Sequence, residues 1–517
     1  MARYISVALE VLILLLILFV PLAFAGTTYW AWTVMELCVA LGLVLWLLQA
    51  IVQQRLCIVR TPLNVLAVLL VLFVFLQLVP LPAGLVSRLS HDRVALQVTG
   101  NPTADLSQAA AAPSRVPLSI YRWGTLQSFF RLLAYVGFFF LLINFLHTRA
   151  RIARVLAVVV LAGIVVALGG LTTMNQNQAR MYRLFPTGDD LESPPSINAR
   201  IPDQMSAGYG YAVSQTAVRG VEWFRFKAKA GDVFGSFPQT NQAAGFLVMI
   251  IPVALGVMFA FLSTRRAEWG QAGGLLYSTE GNMVLLMLVV LASLLLGLVM
   301  TRSRGGLIVG IGALIVTFVL AGFAGSWRRG LVTAVVLAVF ILVPVLVIGH
   351  LQLTGTVRET LNLALNPWSN DRVRFWSAAE KIAADFPLVG TGVGTFKQIY
   401  PLYSTGGPQA YYAHNDWLQW RVEGGSLGMI LAGVTGVVYA VIVIVGLVRM
   451  RDRPMRRLLL GTFLGSLAVL AHASIDFDFA IPATAFTFTV LASVSVVLAQ
   501  DRMSRQEDQD FVFQGGV

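Results

Sequence analysis

Residues 282–306 read NMVLLMLVVLASLLLGLVMTRSRGG, and the first nineteen of them carry no charge. About twenty such residues are what an α-helix, rising 1.5 Å per residue, needs to cross about 30 Å of hydrocarbon. A bilayer core offers no water to the backbone amides, so a lipid-facing run of this kind must close its hydrogen bonds internally as a helix. The stretch therefore reads as a membrane span with two arginines, Arg302 and Arg304, directly at its end.

Working outward, similar apolar stretches occur near 5–25, 32–52, 63–80, 127–146, 152–172 and 243–263 before it, and near 305–324, 331–350, 425–448, 457–477 and 480–499 after it. With 281–300 they predict an all-α polytopic membrane protein of about twelve transmembrane helices. Composition agrees: of 517 residues, 57% are hydrophobic and 12% charged, against about 25% charged in soluble domains. Mean hydropathy is +0.76. The net charge of +12 needs no nucleic acid, because the positive-inside rule accounts for it.

With both termini in the cytoplasm, the short inner connections carry Arg55 and Arg60, then Arg149, Arg151 and Arg154, then Arg265 and Arg266, then Arg328 and Arg329. The last carries Arg449, Arg451, Arg453, Arg456 and Arg457, whereas the outer GTTYWA at 26–31 has no charge. Ala23 and Ala25 have signal-peptidase spacing, but the apolar stretch before them exceeds a typical signal core, so an uncleaved anchor is expected. The two cysteines, Cys38 and Cys57, lie roughly 30 Å apart along one predicted helix, too far for a disulfide. No CxxC or Cys/His cluster supports structural zinc or redox chemistry.

Three outer segments are long, 81–126, 173–242 and 351–424, and function is expected to concentrate there. In the third, Asn370 is placed to cap a helix in which Val373, Trp376, Ala379, Ala383 and Phe386 recur every three or four residues, ended by Pro387. Arg372 and Arg374 lie in its first turn, against the helix dipole, which suits either an anionic partner or snorkelling at a membrane surface. Gly390, Gly392 and Gly394 have no preceding strand and read as a tight turn, not a dinucleotide fingerprint.

The run YYAHNDWLQWRVEGGSLG, 411–428, places His414 and Asn415 early in a second helix with Leu418 and Arg421 on the same side. Around them Tyr411, Tyr412, Trp417 and Trp420 offer aromatic surface for sugar rings or lipid headgroups, and Glu423 follows closely. Arg302 and Arg304 stand at the outer face against the charge rule; a polyprenyl pyrophosphate or an outer-loop acid would account for them. Further on, His472 and Asp476 are spaced to share a helix face, and Asp476 with Asp478 forms a DxD. Nucleotide sugars are not expected outside the cytoplasm, so a histidine oriented by a carboxylate, or a polar clasp between helices, is the preferred reading over a metal-held nucleotide sugar.

Together these segments resemble the O-antigen ligase and O-antigen polymerase superfamily. Its hallmark is His-Asn, nine residues, Gly, two residues and Gly, matched by His414, Asn415, Gly425 and Gly428. GSFPQTNQAAGFL (with Gly235, Asn241 and Ala244), TRSRGG, the Pro387–Phe396 run and HASIDFDFAIPA also fit, so the resemblance covers about 235–485. It divides the chain into 1–234, N-terminal spans with two long outer loops; 235–485, the catalytic region; and 486–517, the end of the last span and a cytoplasmic tail.

The resemblance implies a GT-C-like glycosyltransferase of the bacterial inner membrane, with a periplasmic site, no cofactor and no metal. Its donor would be a glycan on undecaprenyl pyrophosphate, and its acceptor a hydroxyl of lipid A core, a growing polysaccharide or a protein. A pyrophosphate leaves readily once its charge is stabilised, and the acceptor hydroxyl needs a base. His414 is the expected base, with Asn415 and Asp416 orienting it or the sugar. Arg302, Arg304, Arg372 and Arg374 are expected at the pyrophosphate, with Asn241, Arg421, His472 and Asp476 in support and inversion at the anomeric carbon. A small-anion transporter is the rival from another class, but the spans offer mainly Glu10 and Glu36, near helix ends rather than the midplane.

Overall fold

A computed structural model describes residues 1–56, 58–90, 93, 96, 114–175, 233–264, 279–322, 371–404 and 410–500. The first helices are α1 (Ala2–Leu22), α2 (Tyr29–Gln53) and α3 (Pro62–Leu78), then a short strand β1 (Pro80–Pro82), α4 (Ala83–Leu89) and strand β2 (Arg115–Pro117). After them come α5 (Arg122–Phe145), α6 (Arg149–Asn175), α7 (Thr240–Thr264), α8 (Thr279–Met300) and α9 (Arg304–Gly322). The chain continues with α10 (Asp371–Asp385), α11 (Phe396–Tyr403), α12 (Asp416–Arg449), α13 (Arg453–His472) and α14 (Pro482–Ala499).

The protein is an all-α polytopic membrane protein. Nine of the described helices are long and apolar enough to cross a membrane, and α3 and α9 are apolar but shorter. Each of the expected spans except 331–350 coincides with one of these helices; 331–350 lies outside the described residues, as do Asn370, Cys57 and the arginines at 265, 266, 328 and 329.

Local signals explain several boundaries. Thr61 caps α3 through Oγ1 to the Leu63 amide, with Pro62 following, and Asp452 caps α13 through the Met455 amide at 3.2 Å, with Pro454 just inside. Gly425 breaks α12 with φ 61° and ψ −164°, so residues before it cap the bundle and residues after it cross. The crossing part exposes Leu427, Ile430, Val434, Val437, Val441, Ile444 and Val448 at spacings of three and four, a lipid-facing stripe. In contrast, α7 is buried almost throughout and packs along α13, where Gly256 and Gly461 let the two backbones meet.

The bundle has two chemically distinct ends. At one, Glu10 pairs with Arg154 and lies 3.7 Å from Arg151, Arg149 pairs with Asp452 at 2.8 Å, and Arg457 donates to the Phe259 carbonyl. At the other, β1 and β2 form a two-stranded antiparallel pair, and Phe375, Ile382, Phe386, Phe396, Ile399, Tyr400 and Val422 form a separate apolar cluster. That cluster seats α10 and α11 on the first turns of α12. The helix α11 was not legible in the sequence pattern, which has a proline inside it at Pro401.

Candidate active site

The site lies at the second end, where the 410–415 segment before α12 meets the turn between α13 and α14. His414 takes a left-handed conformation, φ 51°, which costs a non-glycine residue about 1–3 kcal/mol and persists only where its surroundings fix it. Here they do. The Ala413 carbonyl accepts from Trp376 Nε1 at 2.9 Å, the Ala413 amide donates to Gln419 at 3.1 Å, and the Asp416 amide donates to the Ala473 carbonyl at 2.8 Å.

His414 therefore precedes α12 instead of lying in it. Asn415 is the N-cap, accepting from the Leu418 amide at 3.0 Å, and Asp416 accepts from the Phe479 amide at 2.9 Å. The expectation that His414 and Arg421 share a helix face is corrected by this: with His414 outside the helix the spacing rule does not apply, and Arg421 is exposed on α12.

His414 Nδ1 lies 3.1 Å from Asp476 Oδ1, and the other oxygen of Asp476 accepts from Arg372 at 3.0 Å. Phe375 stacks near the imidazole, with centroids 5.8 Å apart, and Phe477 meets it edge-on at 4.6 Å. Burial alone would raise the Asp476 carboxyl. The hydrogen bond from His414 and the charge of Arg372 outweigh it and hold the group below its usual value. Since a carboxylate only accepts, Nδ1 is the donor in this contact, and in the neutral imidazole that tautomer leaves Nε2 as the acceptor.

The His472–Asp476 pairing expected from their spacing is also corrected. The α13 helix ends at His472, the chain turns, and His472 Nδ1 reaches Asp478 Oδ2 at 2.7 Å, both side chains being buried. Burial pushes the Asp478 carboxyl up, partly countered by His472. The DxD thus serves two different histidines. Gly245 makes room for this second pair, because a side chain there would overlap Asp478 Oδ1.

The TRSRGG turn adjoins it: a Cβ on Gly305 would lie 3.7 Å from His472 Nε2. Arg302, exposed, has φ 55°, and Thr301 and Ser303 on either side are buried. Arg304 is half-buried, and its Nη1 is buried without a hydrogen-bond partner among the described residues. Arg374 turns to Asp371, 3.7 Å away on the same helix, and both are half-exposed. Asn241 lies half-buried in the first turn of α7.

The glycine-rich turn has its own occupant. Gly390, Gly392 and Gly394 all have positive φ, turning amides toward one point, a geometry that binds anions. The anion is internal: Glu423 accepts from the Gly394 amide at 2.8 Å and the Phe396 amide at 3.0 Å, with Gln419 at 3.3 Å. Gln77 of α3 braces the same turn through Val389, Val393 and Glu423. Glu423 is therefore a structural carboxylate, and Gln77, in an apolar run, gave only the signal of being polar there.

Residues 287–433 match the family model described as O-antigen ligase. The matched region contains Arg302, Arg304, Arg372, the glycine-rich turn and His414, and ends before His472 and Asp476. No curated protein matches the chain. The family match agrees with the resemblance drawn from the motifs and points, at family level, to glycan transfer by a multi-pass membrane protein.

Proposed function

We propose that this protein transfers a glycan from undecaprenyl pyrophosphate to an acceptor hydroxyl on the periplasmic face of the inner membrane, as an O-antigen ligase or polysaccharide polymerase. The observation that carries the reading is His414, held in a strained conformation with Nδ1 on Asp476 and its side chain still partly exposed. This is the arrangement of a base oriented by a carboxylate.

In the reaction, Nε2 of His414 takes the proton of the acceptor hydroxyl as its oxygen attacks the anomeric carbon. The bond from that carbon to the pyrophosphate oxygen breaks on the opposite side, which inverts the centre. Arg302 and Arg304 neutralise the leaving pyrophosphate. Arg372, engaged by Asp476, helps keep that carboxylate charged and the imidazole oriented, Asp416 ties the His414 segment to the Asp476 turn, and Asn415 caps the helix that follows. The basic end of the bundle then faces the cytoplasm with both termini. Neither reaction nor site calls on a metal or a nucleotide sugar.

Transport of a small anion finds less support: Glu10 is engaged by Arg151 and Arg154 as a tie between α1 and α6. The test is a purified transfer assay with undecaprenyl-pyrophosphate glycan and, in parallel, lipid A core, the lipid-linked glycan itself and an acceptor protein. Product with one acceptor assigns ligase, polymerase or protein glycosyltransferase. Absence of product with all of them would sink the reading.

A further inference from the structure

Arg131 belongs to none of the groups above. It lies on α5, about 13 Å along the axis from Arg122 at 1.5 Å per residue, well inside a candidate membrane span. An arginine at such a depth is costly and marks a substrate or ion path when it turns toward the bundle. Its guanidinium carbon is 4.6 Å from the centroid of the Trp32 ring on α2. Its hydrogen bonds are long and stay on its own helix, 3.4 Å to the Gln127 carbonyl and 3.5 Å to Ser128 Oγ, so it reaches back toward the outer end.

No described carboxylate forms an ion pair with it. Glu36, one turn along α2 from Trp32, acts on it electrostatically from beyond that range. Tyr29 meets Trp32 edge-on at 4.7 Å, completing an aromatic rim. The half-buried Tyr412 lies within electrostatic reach of Arg131 and stacks on Phe477 at 4.5 Å, and Phe477 touches His414. The arginine is half-buried, so a ligand can reach it.

We propose that Arg131, lying on Trp32 between α2 and α5, is a second anion site that takes a lipid-borne phosphate, separate from the contact at Arg302 and Arg304. A guanidinium keeps its charge at this depth and forks onto phosphate oxygens, and an aromatic face beneath it fixes its plane. That the lipid is a substrate of the His414 site rests on the function proposed above; the binding itself does not.

The test uses the full-length protein in phosphatidylcholine nanodiscs, with dodecyl phosphate as probe and dodecyl maltoside as neutral control, followed by tryptophan quenching. Saturable dodecyl phosphate binding is expected in a background carrying Arg302→Gln and Arg304→Gln, about ten- to a hundredfold weaker when Arg131→Gln is added and less weakened with Arg131→Lys. Glu36→Gln should bind more tightly, because a neighbouring negative charge is removed; this variant keeps the question open to refutation if Arg131→Gln does not fold. Unchanged affinity on adding Arg131→Gln, or no change in Glu36→Gln, would overturn the site. Competition by added phosphatidylglycerol assigns the occupant to bilayer lipid, and its absence to a substrate lipid; either supports the phosphate site. His414→Ala should bind dodecyl phosphate normally, so loss of transfer and loss of this site are separately visible.

Discussion

Two histidine–aspartate pairs share one turn of this protein and differ in what surrounds them. His414 and Asp476 meet at 3.1 Å with 24% of the histidine side chain exposed, whereas His472 and Asp478 meet at 2.7 Å with 1% exposed. The first carboxylate is also held by Arg372; the second has an oxygen with no hydrogen-bond partner among the described residues. Equal chemistry in unequal surroundings gives unequal roles: a base needs a reachable nitrogen, while a buried pair joins elements and resists change. His472 ties α13 to the turn before α14 and backs the TRSRGG loop.

The sharpest way to break that comparison is to remove each imidazole in turn. His414→Ala should lower single-turnover transfer by about a hundred- to ten-thousandfold, with donor affinity and thermal stability near wild type. His472→Ala should act on the protein first, leaving Asp478 buried without its counter-charge and costing about 3–5 kcal/mol, read as a lower melting temperature in detergent. If His472→Ala melted like wild type yet lost turnover, while His414→Ala kept turnover, the two roles would have to be exchanged.

The arginines of the TRSRGG turn come next. Arg304→Ala and Arg302→Ala should each weaken donor binding about ten- to a hundredfold together with turnover, because a charge-assisted contact to pyrophosphate exists before and during reaction. Lysine should rescue only in part, lacking the planar fork. The buried, unpartnered Nη1 of Arg304 makes it the larger effect of the two. Unchanged donor affinity in both variants would move the pyrophosphate toward Arg372 and Arg374.

A smaller effect is expected at Gly245, which packs against the buried pair. Gly245→Ala places a methyl group against Asp478 Oδ1, and overpacking of this kind costs about 1–3 kcal/mol. Stability should fall while the His414 step, measured on the folded fraction, stays close to wild type. A selective loss of turnover without loss of stability would show that the two pairs are coupled.

Much of this was legible from the chain alone, and the reasons differ by feature. Membrane spans are local: twenty apolar residues announce themselves wherever they stand, and even the break in α12 falls at Gly425, where the span was expected to begin. The motif residues His414, Arg302 and Arg304 stood out because arginines at the outer end and a histidine among aromatics are expensive or uncommon there. Pairings were not legible, because they join distant positions. Asp476 is 62 residues from His414, and a helical spacing rule assigned it to His472 when α13 had already ended. The same holds for Glu423, which reads as a site acid until its oxygens are found on the glycine-rich turn. Arg131 was hidden by being one charge inside an otherwise apolar span.

The smallest effect predicted is none at all, and it bears on the comparison most directly. A DxD holds a metal when both carboxylates turn their oxygens to one ion. Here Asp476 gives its oxygens to His414 and Arg372, and Asp478 turns to His472. Recruiting both to a cation would break three contacts, those of Asp476 with His414 and Arg372 and that of Asp478 with His472, and would release His414 from its orienting carboxylate. Transfer by purified enzyme should therefore be unchanged by EDTA and unaffected by added magnesium or manganese. Loss of turnover in EDTA, restored by either ion, would mean that the two aspartates act together on a metal during reaction, and the division of labour between the two histidines would fall with it.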